Sequence, residues 1–313
     1  MRAATGYGHH MNTNHLLGLS NSGFHRIHYT NWGDPANERV VICVHGLTRN
    51  CRDFDFLAAA LAGDFRVVCP DVAGRGLSDW LANKDDYAYP QYLADMNALI
   101  ARVTENPAVA GWLGKLAAAL RRRHAPRSVY WVGTSMGGIL GMLLAAMPGS
   151  PIQKLVVNDV GPLIPKASLE RIGAYLGKDP RFKTYDELEA CIRLISVPFG
   201  PLTDAQWRHL TISGAKQYDN GDWGMRYDPG IAAPFRRGPV IDVDLWQYWD
   251  AIHCPTLLLR GANSDLLLQE TAAEMQTRGP RPRMVEFAGV GHAPMLMADD
   301  QIRVVREFLL QER

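Results

Sequence analysis

Ser128-Val129-Tyr130-Trp131-Val132-Gly133-Thr134-Ser135-Met136-Gly137 passes from a buried strand-like run into a G-x-S-x-G pentapeptide, and residues 138–147 continue as an apolar, helix-like run. A serine between glycines at a strand-to-helix junction is the sequence form of the nucleophile elbow. The turn there is so sharp that its neighbours must lack a Cβ. The pentapeptide alone recurs by chance; the strand before it and the helix after it carry the reading. Ser135 is therefore the candidate nucleophile.

Working outward, the chain alternates two kinds of segment. Short apolar runs at 24–30, 40–45, 66–70, 128–132, 154–158, 256–260 and 283–288 read as strands covered on both faces. Helical patterns lie between them, near 53–62, 90–104, 135–147, 266–278 and 299–311. The alternation predicts an α/β fold with a doubly wound, mostly parallel sheet. Residues 1–23, polar and rich in Gly, Asn and His, are expected to be a flexible N-terminal segment. Residues 105–126 read as a local insertion whose Arg121-Arg122-Arg123 cluster is a solvated helix end. Residues 161–249 break the rhythm more deeply and hold twelve aromatic residues. They predict a mainly helical cap inserted into a core formed by 24–160 and 250–313.

Composition narrows the classes. With 313 residues and a formal net charge of +1, the chain can bury a large core and has no whole-chain attraction for nucleic acid or an anionic membrane. Cys43, Cys51, Cys69, Cys191 and Cys254 form no C-x-x-C pair and read as free thiols of a reducing compartment. No apolar run reaches the ~18 residues of a membrane span, and no charged-then-apolar signal opens the chain. A cytoplasmic location is the expectation. His9-His10 lack further ligands and read as solvated tail, so no metal is expected. A homodimer is left open.

A serine hydroxyl needs a base within hydrogen-bond reach and a third group to orient that base. His292, after the last strand in Phe287-Ala288-Gly289-Val290-Gly291-His292, is the candidate base. Activity should then fall as His292 takes up a proton. Asp265, after Gly261-Ala262-Asn263-Ser264, is the preferred acid. Asp159, closing Val156-Val157-Asn158-Asp159, is its rival and otherwise reads as a turn residue before Gly161-Pro162. Among the other histidines, His253 lies at the wrong end of a strand. Attack on an ester carbonyl places negative charge on oxygen, which two backbone N–H groups should face. Met136, at a helix N-terminus, offers one, and Leu47 in Val44-His45-Gly46-Leu47 the other. His45 would shape that loop and not act as a base. Asp71-Val72-Ala73-Gly74-Arg75-Gly76-Leu77-Ser78 lacks the spacing of a phosphate loop and reads as a tight turn beside it.

Taken together these features resemble the α/β-hydrolase superfamily over residues 24–311, with His45-Gly46, Asp71, Gly74-x-Gly76-x-Ser78, Gly133-x-Ser135-x-Gly137, Asp265 and Gly291-His292 in the family's order. The resemblance implies an eight-stranded sheet, a lid after the sixth strand, and acyl transfer without a cofactor. It implies Ser135 as nucleophile, His292 as general base and acid, Asp265 as orienting carboxylate, and Leu47 and Met136 as oxyanion donors. Within the superfamily the chain looks like capped bacterial carboxylesterases and lactonases. Ala73 stands where the usual residue is Pro. Thr48-Arg49 stand where ring-cleavage carbon–carbon hydrolases carry further glycines, and His292 has no Trp behind it.

The leading expectation is hydrolysis of small or medium carboxylic esters through an acyl-enzyme. Carbon–carbon bond cleavage or thioester hydrolysis on the same residues is the alternative, and a hydrolase-fold small-molecule receptor with little turnover is an alternative of another class. His45, Arg49, Trp223 and Trp246 are candidate substrate contacts. Arg49 and Arg75 raise the idea of a carboxylate-bearing substrate, such as a hydroxyacid oligomer. An arginine in such loops can equally be the partner of Asp53 or Asp79.

Overall fold

A computed structural model describes residues 11–104 and 128–311. The strands are β1 (Asn12–Ser20), β2 (Gly23–Trp32), β3 (Arg39–Val44), β4 (Arg66–Pro70), β5 (Ser128–Thr134), β6 (Ile152–Asn158), four short pieces β7 (Leu163–Ile164), β8 (Ala215–Gln217), β9 (Trp223–Met225) and β10 (Val243–Asp244), then β11 (Thr256–Gly261) and β12 (Arg283–Phe287). The helices are α1 (Asp55–Leu61), α2 (Tyr89–Thr104), α3 (Met136–Ala145), α4 (Lys166–Tyr175), α5 (Tyr185–Ile195), α6 (Asp204–Gly214), α7 (Trp246–Asp250), α8 (Gln269–Met275) and α9 (Asp299–Leu310). Eight strands form one sheet in the order β1-β2-β4-β3-β5-β6-β11-β12. The six strands from β4 to β12 run parallel, and β2 pairs antiparallel with both β1 and β4.

Strand β3 shows why these runs are continuously apolar. Val40, Ile42 and Val44 face one layer, with Leu99 of α2 and Ile139 and Leu140 of α3. Val41 and Cys43 face the other, with Leu57 and Leu61 of α1 and Val305 of α9. Both faces are covered, so no position is free for a polar residue. Helix α2 buries Tyr92, Met96, Leu99, Ile100 and Val103, a stripe at helical spacing against the sheet. All five cysteines are free, and no helix among the described residues is long and apolar enough to cross a membrane.

One expectation is corrected here. Residues 12–20 are not a flexible tail but strand β1, paired residue by residue with β2 from Asn12↔Asn31 to Ser20↔Gly23. The strand lies at the sheet edge with most of its side chains exposed, so backbone hydrogen bonds hold it and little apolar burial is required. That is why Asn12-Thr13-Asn14-His15 carries no strand pattern. The 105–126 insertion with its three arginines and the His9-His10 pair lie outside the described residues.

The 161–249 stretch contributes α4, α5 and α6, with the small pairs β8–β9 and β7–β10. Both α5 and α6 begin with capping boxes, Thr184 with Glu187 and Thr203 with Gln206, which satisfy otherwise orphaned N–H groups.

Candidate active site

Ser135 joins β5 to α3 with φ 53° and ψ −117°, a conformation that L-residues rarely adopt. The flanking glycines make it attainable. A Cβ on Gly133 would come within 2.1 Å of the Gly137 oxygen, and one on Gly137 within 2.0 Å of the Val44 oxygen. Trp131 Nε1 donates to the Gly137 carbonyl at 2.9 Å and pins the helix start to the strand. The hydroxyl is thereby held at the C-terminal edge of the sheet.

His292 reaches that hydroxyl, with Nε2 3.0 Å from Ser135 Oγ. Its Nδ1 lies 2.8 Å from Asp159 Oδ2. Asp159 is completely buried at the end of β6, in the left-handed region at φ 56°, which Asp tolerates better than most residues. Its Oδ2 also accepts from Ser264 Oγ at 2.7 Å, and Oδ1 accepts from the Gly261 N–H at 2.8 Å. Three donors therefore hold the carboxylate in one orientation behind the imidazole.

The expectation for Asp265 is overturned by this geometry. Its side chain is 56 % exposed and makes a two-point ion pair with Arg171 of α4, both contacts at 2.9 Å. Ser168 Oγ donates to its backbone carbonyl at 2.8 Å. The loop after β11 does serve the carboxylate, but through Gly261 and Ser264, one residue before Asp265. The two candidate carboxylates both follow strands of the sheet, β6 and β11. Only the left-handed turn straight off β6 aims its carboxylate at the imidazole, and no pattern of residue types distinguishes that.

Asn158 was not singled out from the sequence. Its buried Nδ2 donates to Thr134 Oγ1 at 3.0 Å and to the Pro294 carbonyl at 2.8 Å, while its backbone carbonyl accepts the Ser135 N–H at 3.0 Å. A polar residue closing the apolar run Leu155-Val156-Val157 is the available signal.

The loop after β3 crosses the same edge. His45 is fully buried; its Nδ1 lies 2.7 Å from the Gly46 carbonyl and its Nε2 accepts the Val72 N–H at 3.0 Å. Burial pushes its pKa down, so the ring is neutral with both nitrogens engaged. Among the described residues the N–H groups of Leu47 and Met136 have no hydrogen-bond partner. Arg75 is also fully buried, donating to the Leu47 and Ala73 carbonyls and to Tyr92 Oη. It braces the Leu47 loop from behind and cannot meet a substrate. Asp79, its suggested partner, binds Arg26 instead. Burial alone would push the Asp71 carboxyl up, but His28 and the N–H groups of Cys51 and Leu77 hold it below the usual carboxylate range.

A cavity of about 390 Å³ lies over Ser135 and His292. The core supplies His45 to Arg49, Phe54 and Met295; the 161–249 stretch supplies Arg171, Ile172, Tyr175, Lys178, Ile192, Ile195, Phe199, Met225 and Tyr227. Arg49 lines it while donating twice to Asp53, at 2.8 and 2.6 Å, the structural pairing anticipated for it. Trp223 and Trp246 do not line it. Trp223 packs edge-on to Tyr185 within the 161–249 stretch, and Trp246 carries the Arg278 guanidinium 4.3 Å above its ring. Both are packing residues, and three smaller rings, Tyr175, Phe199 and Tyr227, take the wall positions.

The model of the alpha/beta hydrolase family matches residues 41–306, from β3 through most of α9. The chain belongs to that family. This hydrolase is 47 % identical over 298 residues to the 3-hydroxybutyrate-oligomer hydrolase of Cupriavidus necator, covering 93 % of this chain and 94 % of the relative. It is 25 % identical over 283 residues to the esterase Rv0045c of Mycobacterium tuberculosis, covering 89 % and 83 % respectively. Among solved structures, an alpha/beta hydrolase from Novosphingobium aromaticivorans superposes with a TM-score of 0.78 at 34 % identity, over 96 % of this hydrolase and 98 % of that chain.

Proposed function

We propose that this hydrolase cleaves small or medium carboxylic esters, with Ser135 as nucleophile, His292 as general base and acid, and Asp159 as the orienting carboxylate. The observation that carries the reading is the continuous line of hydrogen bonds from Asp159 Oδ2 through both nitrogens of His292 to Ser135 Oγ. In the first step Ser135 Oγ attacks the ester carbonyl carbon while His292 Nε2 takes the hydroxyl proton. Asp159 stabilises the imidazolium that forms, and the free N–H groups of Leu47 and Met136 receive the charge on the carbonyl oxygen. The tetrahedral intermediate expels the alcohol with the proton from His292. Water, deprotonated by the same imidazole, then attacks the acyl-enzyme and releases the acid.

Esters of hydroxyacids are the favoured class. The support is the extended identity to a 3-hydroxybutyrate-oligomer hydrolase and a cavity wall that is largely aliphatic and aromatic. The test is a p-nitrophenyl ester series, acetyl to octanoyl, together with 3-hydroxybutyrate dimer and trimer, using wild type and Ser135→Ala. Turnover that the substitution abolishes is the expected result. Folded wild type that turns over none of these esters would discard the reading in favour of carbon–carbon cleavage or ligand reception.

A further inference from the structure

The charged groups on the cavity wall pair off, with one left over. Arg49 is taken by Asp53, and Arg171 by Asp265. Lys178, three residues beyond the end of α4, lines the same cavity, is exposed, and makes no ion pair among the described residues. Arg171 and Lys178 thus bring two cations to the cap side of the cavity against the single carboxylate of Asp265.

That carboxylate is weakly committed. The Arg171–Asp265 pair is 45 % and 56 % exposed, and an ion pair in that setting is screened and easily exchanged. A second carboxylate entering the cavity would meet an unpaired ammonium and a guanidinium whose two-point geometry suits it. The remaining wall on that side, Ile172, Ile192 and Tyr175, offers an acyl chain apolar contact.

We infer that Lys178, with Arg171, forms a subsite for a carboxylate on the substrate, so that this hydrolase prefers anionic esters whose acid end lies under α4. The inference rests on the ester-hydrolase reading and gives it a polarity. A hydroxyacid oligomer carries one free carboxylate and one free hydroxyl, so a subsite of this kind fixes which end lies beneath the cap. Asp265 opposes the preference by occupying Arg171.

The test compares mono-p-nitrophenyl glutarate, anionic, with p-nitrophenyl pentanoate, neutral and of similar length, by the ratio of their kcat/KM values. Lys178→Ala should lower the anionic-to-neutral ratio by roughly fivefold, chiefly through KM, and Lys178→Arg should restore most of it. Asp265→Asn should move the ratio the other way, upward by several-fold, because Arg171 is released. A merely structural role for either residue would lower both esters together. Ratios within twofold of wild type in all three variants would overturn the subsite while leaving the esterase reading intact. Wild type inert towards both esters would overturn the two together.

Discussion

Asp159 accepts hydrogen bonds from the Gly261 N–H and Ser264 Oγ before it meets His292, so its position does not depend on the imidazole. Replacement by Asn keeps the shape but sets an amide against Nδ1 and removes the charge that supports the imidazolium. Asp159→Asn should therefore lower kcat by roughly 10³–10⁴-fold. Asp265→Asn should cost less than about tenfold on a neutral ester, and steady-state kinetics of the two variants side by side decides which carboxylate serves the base. Asn158 lies one step further back, joining Thr134, next to Ser135, to Pro294, two residues past His292. Asn158→Ala should lower kcat by on the order of 10²-fold with a much smaller change in KM, since a displacement near 1 Å is enough to do so. An unchanged kcat in a folded variant would show that the backbone alone keeps the two loops in place.

At the level of elements, the sequence pattern locates the buried strands because burial on two faces leaves an unbroken apolar run. β4 falls on residues 66–70 as expected, and β3, β5, β6, β11 and β12 within two residues of their expected ends. It misses β1 because an edge strand is held by main-chain bonds that no side-chain pattern records. The site divides in the same way. Ser135 and His292 are announced by glycines that a tight turn requires, whereas the choice between Asp159 and Asp265 turns on a backbone twist. The first hairpin is also fastened by a buried pair: His25 of β2 lies 3.0 Å from both oxygens of Asp95 on α2, and Gln91 donates to the same carboxylate. The hydrogen bond to Asp95 raises the His25 pKa against an opposing effect of burial, with smaller help from the Gly23 backbone and the charge of Asp79. A group whose folded pKa is raised stabilises the fold fully below its unfolded value, about 6.5 for histidine, and ceases to do so as pH climbs through the folded value. Thermal melts from pH 5 to 9 should show the destabilisation by Asp95→Asn largest at the acid end and shrinking as pH rises. A constant difference would mean that the pair acts through packing alone.

For the whole molecule, the cavity over Ser135 and His292 offers a test of substrate size. Its wall combines Ile172, Ile192, Ile195, Met225 and Met295 with three aromatic rings in about 390 Å³, near the lower end of ordinary ligand pockets. Acyl chains of about four to eight carbons should give a higher kcat/KM than acetyl, and still longer chains should fall away; a monotonic rise through dodecanoyl would show that the cap opens to take them. The hydrogen-bonded line at the site has a further consequence, in time and not in space. Ser135 and Asp159 directly follow the adjacent strands β5 and β6 and are 24 residues apart, but His292 follows Asp159 by 133 residues, with the 161–249 stretch between them. At roughly 5–20 residues per second, a ribosome adds His292 about 7–27 s after Asp159. Through that interval the nascent chain holds Ser135 without the imidazole that the proposed mechanism requires. On the proposed mechanism the chain would stay inert towards esters until every strand of its sheet has been made, because β12 ends at Phe287, before His292.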